Sequence, residues 1–78
     1  MKNMLETIVD IILDACDELS EEDITPEARF IEDLNVSSLE SMEILSDIEE
    51  EFDIRISSTE SRRLLTVADL LHLVEEKA

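Results

Sequence analysis

The chain has no glycine at all and a single proline, Pro26. Tight hairpin turns depend on these two residues, because glycine enters the left-handed backbone region without a steric penalty and proline pre-sets a turn angle. A chain of 78 residues without them is poorly suited to short β-connections and well suited to helices. The same absence excludes a P-loop, a dinucleotide-binding fingerprint and the glycine of an EF-hand.

Four segments of the chain have the pattern of helices. Apolar residues repeat with a helical period over 4–19, and a second amphipathic segment covers 38–52. Ser57 with Glu60, and Thr66 with Asp69, match capping boxes that open a short helix over 57–64 and a longer one over 66–77. The sequence therefore predicts one all-α domain over 1–78, with three main helices and one short helix.

The stretch between the first two helices, 20–37, has no sustained period and is predicted to be a long ordered loop. We expect its apolar side chains to contact the core; they are Ile24, Phe30, Ile31, Leu34 and Val36.

Residue positions on the helices predict which side chains are buried. In the second helix, Met42, Leu45, Ile48 and Phe52 share one side, with Ile44 at its edge. The core face of the first helix includes Cys16, which we expect to be a small buried side chain and not a reactive thiol. His72 falls on the polar side of the last helix, where we expect it to be solvated.

The charge of the chain limits its partners. It has 22 acidic and 6 basic residues, a net charge of −16. Binding nucleic acid or anionic lipid needs a basic surface, so both partners are excluded, and a basic protein patch is the natural partner. No run of about 18 apolar residues and no signal-peptide pattern occurs, so we expect a cytoplasmic protein without membrane insertion.

The second predicted helix has a stripe of acidic residues with no lysine or arginine between Ser38 and Ile54. A solvated helix face normally mixes charges of both signs, so this stripe is interpreted as a docking surface for basic partners. Leu39 and Met42 flank Ser38 and are candidates for apolar contacts in the same interface. The acidic docking candidates are Glu40, Glu43, Asp47 and Glu50.

The segment Asp33-Leu34-Asn35-Val36-Ser37-Ser38-Leu39-Glu40-Ser41-Met42-Glu43-Ile44 places Ser38 where the loop gives way to the second helix. The N-terminus of a helix favours an anion, so a phosphodiester would be tolerated there. Serine is common at helix starts, so position alone favours an N-cap role for Ser38. Asp33, Asn35 and Ser37 also have the ligand spacing of a calcium loop, but Ser38 stands at the glycine position and Ile44 at the final glutamate position.

This segment resembles the Asp-Leu-Gly-x-Asp-Ser-Leu-Asp/Glu-x-x-Glu-Leu motif of the acyl carrier proteins, and the resemblance covers essentially the whole chain. It implies that Ser38 carries 4′-phosphopantetheine, derived from coenzyme A. Two residues depart from the motif. Ser37 replaces the usual Asp, which affects how a transferase engages the chain. Asn35 replaces the usual Gly, and Asn is the next-best residue for a left-handed backbone.

The resemblance implies a monomeric carrier, not an enzyme, that holds acyl groups as thioesters and presents them to enzymes of fatty-acid, polyketide or related biosynthesis. The implied partners are a phosphopantetheinyl transferase and acyl-transferring and condensing enzymes with basic docking patches. An apolar seam between helices could shelter the acyl chain, and its candidate residues are Ile44, Leu45, Ile56, Leu64 and Leu71. The alternative function is an acidic protein-interaction domain that is never modified.

Overall fold

The computed structural model describes residues 3–78. It contains helices α1 (Met4–Ala15), α2 (Ser38–Phe52), α3 (Ser58–Arg62) and α4 (Val67–Lys77), with a short 3₁₀ turn at Glu21–Asp23. The predicted all-α architecture of three main helices, one short helix and a long loop is confirmed. In the described residues, none of the helices is long and apolar enough to cross a bilayer.

A side chain caps the start of each of the four α-helices. Ser57 and Thr66 accept hydrogen bonds from the N–H groups of Glu60 and Asp69, both at 3.1 Å, which confirms the two predicted capping boxes. Asn3 caps α1 by accepting from the N–H of Glu6. Such caps satisfy N–H groups that have no partner within the helix, and each stabilises a helix by about 1 kcal/mol.

The first helix is shorter than its apolar period predicts. It ends at Ala15, and Cys16 leaves the helical conformation with φ −124° and ψ 86°. No basic residue lies in its last turn, where the helix dipole favours cations, and Asp17 and Glu18 follow directly. The expected continuation to residue 19 is therefore wrong, although Cys16 is buried and Leu19 packs against the core.

The core lies where α1, α2 and α4 meet, and its fully buried side chains are Ile8, Ile12, Ile48, Val67, Leu70 and Val74. Two expectations about it are wrong. Met42 is 68% exposed, whereas Ile44, two residues on and therefore nearly opposite it around the helix, is buried. The buried face of α2 is thus centred on Ile44 and Ile48. Ile31 is 75% exposed because the turn that directs Phe30 inward directs its neighbour outward.

The long loop is bound through its main chain to the start of α4. The N–H groups of Val67 and Ala68 donate to the carbonyls of Ala28 and Pro26 at 3.0 and 2.9 Å. The N–H of Phe30 donates to the carbonyl of Leu65 at 3.0 Å. Buried Ile24, Ala28, Leu34 and Val36 hold the same loop against the helices. The loop is therefore ordered, and its contacts fix the position at which α2 begins.

The net charge predicts a strong salt dependence of stability. With 22 acidic and 6 basic residues, at least 16 acidic side chains have no opposite charge to pair with. We expect the melting temperature to rise by about 5 °C or more between low salt and added sodium chloride, because screening relieves repulsion in the folded chain. Magnesium chloride should act at lower concentration, since a divalent ion can bridge carboxylates. Melting curves with tetramethylammonium chloride at equal ionic strength separate screening from bridging. A melting temperature that stays flat or falls with these salts would mean that core packing sets the limit.

Candidate functional site

Two consecutive hydroxyls stand at the start of α2, and the structure gives them different roles. Ser37 is the N-cap: its Oγ accepts from the N–H of Glu40 at 3.1 Å, and its N–H donates to Glu40 Oε1 at 2.9 Å. Ser38 is the first residue of the helix, is exposed, and makes no side-chain hydrogen bond to any residue in 3–78. Of the two, only the Ser38 hydroxyl is uncommitted and open to a reaction partner.

A left-handed residue directs the chain into the site. Asn35 has φ 53°, as predicted from its place in the motif, and it lies between the buried side chains of Leu34 and Val36. The N–H of Val36 donates to the carbonyl of Phe30 at 2.8 Å. These contacts hold the segment before α2 on both sides of the turn, so Ser38 is presented by a fixed backbone.

A cavity of about 330 Å³ opens beside Ser38. Its wall includes three of the residues predicted to form an acyl pocket, Ile44, Leu45 and Leu64, together with Phe30 and Val36. The other two predicted residues, Ile56 and Leu71, pack against the core but do not line this cavity. The remaining lining residues are Ile31, Ser37, Ser41, Met42, Ser61, Arg62, Leu65 and Leu70.

The outer face of α2 is acidic with two exposed apolar residues near Ser38. Leu39 and Met42 are 67% and 68% exposed. Glu43, Asp47 and Glu50 are exposed on the same helix. These five side chains can meet a partner surface without a change of fold.

Glu40 differs from the other acidic residues of this helix. It is half-buried and belongs to the capping box, and the hydrogen bond from the Ser37 N–H lowers the pKa of its carboxyl. The Ser37 cap was missed at the sequence level, although Ser37 and Glu40 have the spacing that identified the boxes at Ser57 and Thr66.

Cys16 lies behind the site and is buried, as predicted. Burial raises the pKa of its thiol to about 11, with a further contribution from the nearby Glu40 carboxylate. The thiol is therefore protonated at neutral pH, and it is not a nucleophile under those conditions. His72 is exposed on α4, as expected.

The site suits a covalently attached phosphate group. An exposed hydroxyl stands at the first turn of a 15-residue helix, where N–H groups and the helix dipole favour a negative charge. The cavity beside it can accommodate an apolar chain. Among residues 3–78, no group of three or more His, Cys, Asp or Glu side chains is placed to hold a metal ion.

Comparison with known proteins agrees with this chemistry. A family model described as "Phosphopantetheine attachment site" matches residues 6–74. The acyl carrier protein of Buchnera aphidicola subsp. Acyrthosiphon pisum (strain Tuc7) is 39% identical over 77 residues, which cover 99% of this chain and 95% of that protein. The acyl carrier protein of Thermosynechococcus vestitus (strain NIES-2133 / IAM M-273 / BP-1) is 39% identical over 74 residues, which cover 95% of this chain and 90% of that protein. The chain belongs to the acyl carrier protein family, whose members bear phosphopantetheine, and it is a carrier and not an enzyme.

Proposed function

We propose that Ser38 is the attachment point of the 4′-phosphopantetheine arm. The observation that carries this assignment is the division of roles between the two serines: the Ser37 hydroxyl is bound in the cap, and the Ser38 hydroxyl is exposed without a partner among residues 3–78. Attachment at Ser38 leaves the capping box intact. Attachment at Ser37 would break the hydrogen bond from Glu40 N–H and expose the start of α2.

The attachment reaction requires little of this chain beyond presenting a hydroxyl. The Ser38 oxygen attacks the pantetheine-linked phosphorus of coenzyme A, a new P–O bond forms, and 3′,5′-ADP leaves as the pyrophosphate bond breaks. The transferase accepts the hydroxyl proton. The arm, once bound, supplies a terminal thiol that holds acyl groups as thioesters. The carrier's own residues then position the arm and present it to partner enzymes, where tethering raises the local concentration of the acyl group.

We propose that partners dock on the outer face of α2. Glu43, Asp47 and Glu50 supply negative charge, and Leu39 and Met42 supply apolar contact beside Ser38. Glu40 borders the same surface while its carboxylate holds the cap. The partners are a phosphopantetheinyl transferase and acyl-transferring and condensing enzymes of fatty-acid, polyketide or related biosynthesis, with basic patches. The carrier acts as a monomer in the cytoplasm.

We propose that the cavity beside Ser38 shelters the acyl chain. Ile44, Leu45 and Leu64 give it an apolar wall, and Leu70 of α4 contributes to its lining. Ile56 and Leu71 pack against the core and do not line the cavity, so an acyl chain would contact them only if the helices separate. Each buried methylene of an acyl chain is worth about 0.8 kcal/mol, which favours this shelter over water.

The test of the carrier function is the intact mass of the full chain after incubation with coenzyme A, magnesium and a broad-specificity phosphopantetheinyl transferase. We expect the mass to rise by one phosphopantetheine group per chain. The control omits the transferase and should leave the mass unchanged. An unmodified chain in the presence of an active transferase would instead favour an acidic interaction domain.

A further inference from the structure

We propose that Arg62 is the counter-ion of the phosphodiester at Ser38. Its guanidinium would hold the phosphodiester end of the arm at the cavity that both residues line. This inference rests on the proposed attachment at Ser38. Its basis is a juxtaposition: Arg62, near the end of α3, and Ser38, at the start of α2, line the same cavity from opposite elements.

Arg62 is the one cationic residue that lines this cavity in the described part of the chain. Arg29 is engaged in an ion pair with Glu32, and Lys77 is paired with Glu60 at 3.0 Å. Arg55 lines a separate groove with Glu49, Glu50 and Asp53, at the far end of α2. Arg62 itself has no ion pair within residues 3–78, although acidic residues greatly outnumber basic ones.

The lining of the cavity is divided between polar and apolar groups. Its polar lining residues are Ser37, Ser38, Ser41, Ser61 and Arg62, and the other residues that line it are apolar. A guanidinium presents a planar set of donors that matches two phosphate oxygens, and it stays charged at any physiological pH. The site therefore combines a cation for the phosphodiester with an apolar space for what the arm carries.

Attachment of the arm adds a negative charge to a chain that already has a net charge of −16. The new charge lies on the same helix as Glu40 and Glu43, two and five residues along α2, which repel it. Without a cation near Ser38, attachment of the arm should therefore lower the stability of the folded chain or leave it unchanged. With Arg62 opposite, attachment should create a link between α2 and α3 that the unmodified chain lacks.

The experiment compares melting temperatures before and after attachment in the wild type, Arg62→Gln and Arg63→Gln. Arg63→Gln is the matched control, because it removes the same charge one residue away. The Arg63 side chain lines a different groove, with Glu60, Asp69 and His72. We expect attachment to raise the melting temperature by about 2–5 °C in the wild type and in Arg63→Gln. In Arg62→Gln the rise should vanish or reverse, and Arg62→Lys should restore part of it.

Two further measurements identify the partner of Arg62. The ³¹P resonance of the phosphodiester should differ between the wild type and Arg62→Gln, and about 0.5 M salt should reduce the difference. The effect of Arg62 should be the same whether the arm carries a neutral hexanoyl group or a carboxylate-ended glutaryl group. If the effect occurs only with the glutaryl group, the partner is the cargo and the proposal is wrong.

Equal shifts of melting temperature in Arg62→Gln and Arg63→Gln would also overturn the proposal. Failure of the wild type to gain mass is a different result, since it would remove the attachment at Ser38 and leave no phosphodiester for Arg62 to bind.

Discussion

The Ser38→Ala variant is expected to gain no mass on incubation with coenzyme A, magnesium and a phosphopantetheinyl transferase, whereas Ser37→Ala gains one group per chain. The loss should be complete, because alanine has no oxygen to form the phosphodiester. Ser37→Ala keeps the exposed Ser38 hydroxyl, and it removes only the N-cap acceptor of α2. Intact mass spectrometry measures both results directly.

Stability controls separate lost chemistry from lost structure. Ser37→Ala should cost about 1 kcal/mol and lower the melting temperature by roughly 4–8 °C, because the Glu40 N–H loses its acceptor. Ser37→Asp is the sharper control, since aspartate caps a helix as well as serine does but has no hydroxyl. It should keep both the fold and the attachment. Attachment that survives Ser38→Ala but is lost in Ser37→Asp would show that the assigned register is wrong.

Reversing charge on the outer face of α2 is expected to slow acyl transfer by partner enzymes by about 10- to 100-fold in kcat/KM. The variant is Glu43→Lys combined with Asp47→Lys. Both side chains are exposed, so the fold should persist while attraction to a basic partner patch becomes repulsion. Rates of loading by one partner enzyme, measured at low salt and at about 0.5 M salt, give the comparison.

The matched control reverses Glu75 and Glu76 to lysine. These residues are exposed at the end of α4 and undergo the same total change of charge, far along the chain from Ser38. We expect at most a few-fold effect from the control, because only overall attraction is weakened. Equal slowing by the two double variants would show that net charge, and not the α2 surface, governs partner binding.

The features of the fold that depend on neighbouring residues were predictable from the sequence. The caps at Ser57 and Thr66 follow from side chains three residues apart, and the structure has them. The left-handed backbone at Asn35 is equally local. The same spacing of three residues also predicts a cap at Ser37 and Glu40, but this cap was overlooked. Comparison with the family motif had presented Ser37 only as a departure from Asp.

Features that depend on how distant segments pack were not predictable. The helical period places Met42 on the apolar side of α2, but the neighbouring elements decide that Ile44 is covered and Met42 is not. The cavity forms where the loop, α2, α3 and α4 meet, so the sequence could name apolar candidates without separating Leu64, which lines it, from Ile56, which does not. The same arrangement brings Arg62 to line the cavity that Ser38 also lines. The attachment at Ser38 and the docking surface remain predictions for the experiments above.

The segments around the cavity are held to the rest of the fold by different kinds of contact, and this difference should be visible in amide hydrogen exchange. The loop has two main-chain hydrogen bonds to the first turn of α4, at Val67 and Ala68, and a third from Phe30 to Leu65 just before that helix. The short helix α3 is instead held by side-chain contacts: Glu49 accepts from the N–H of Ile56, two residues before the helix, at 2.8 Å, and Glu60 in the middle of the helix pairs with Lys77. Partial unfolding should therefore begin at α3. The amide hydrogens that join the loop to α4 should exchange only when the whole domain unfolds. The carrier can thus open one wall of its cavity without disturbing the backbone that presents Ser38.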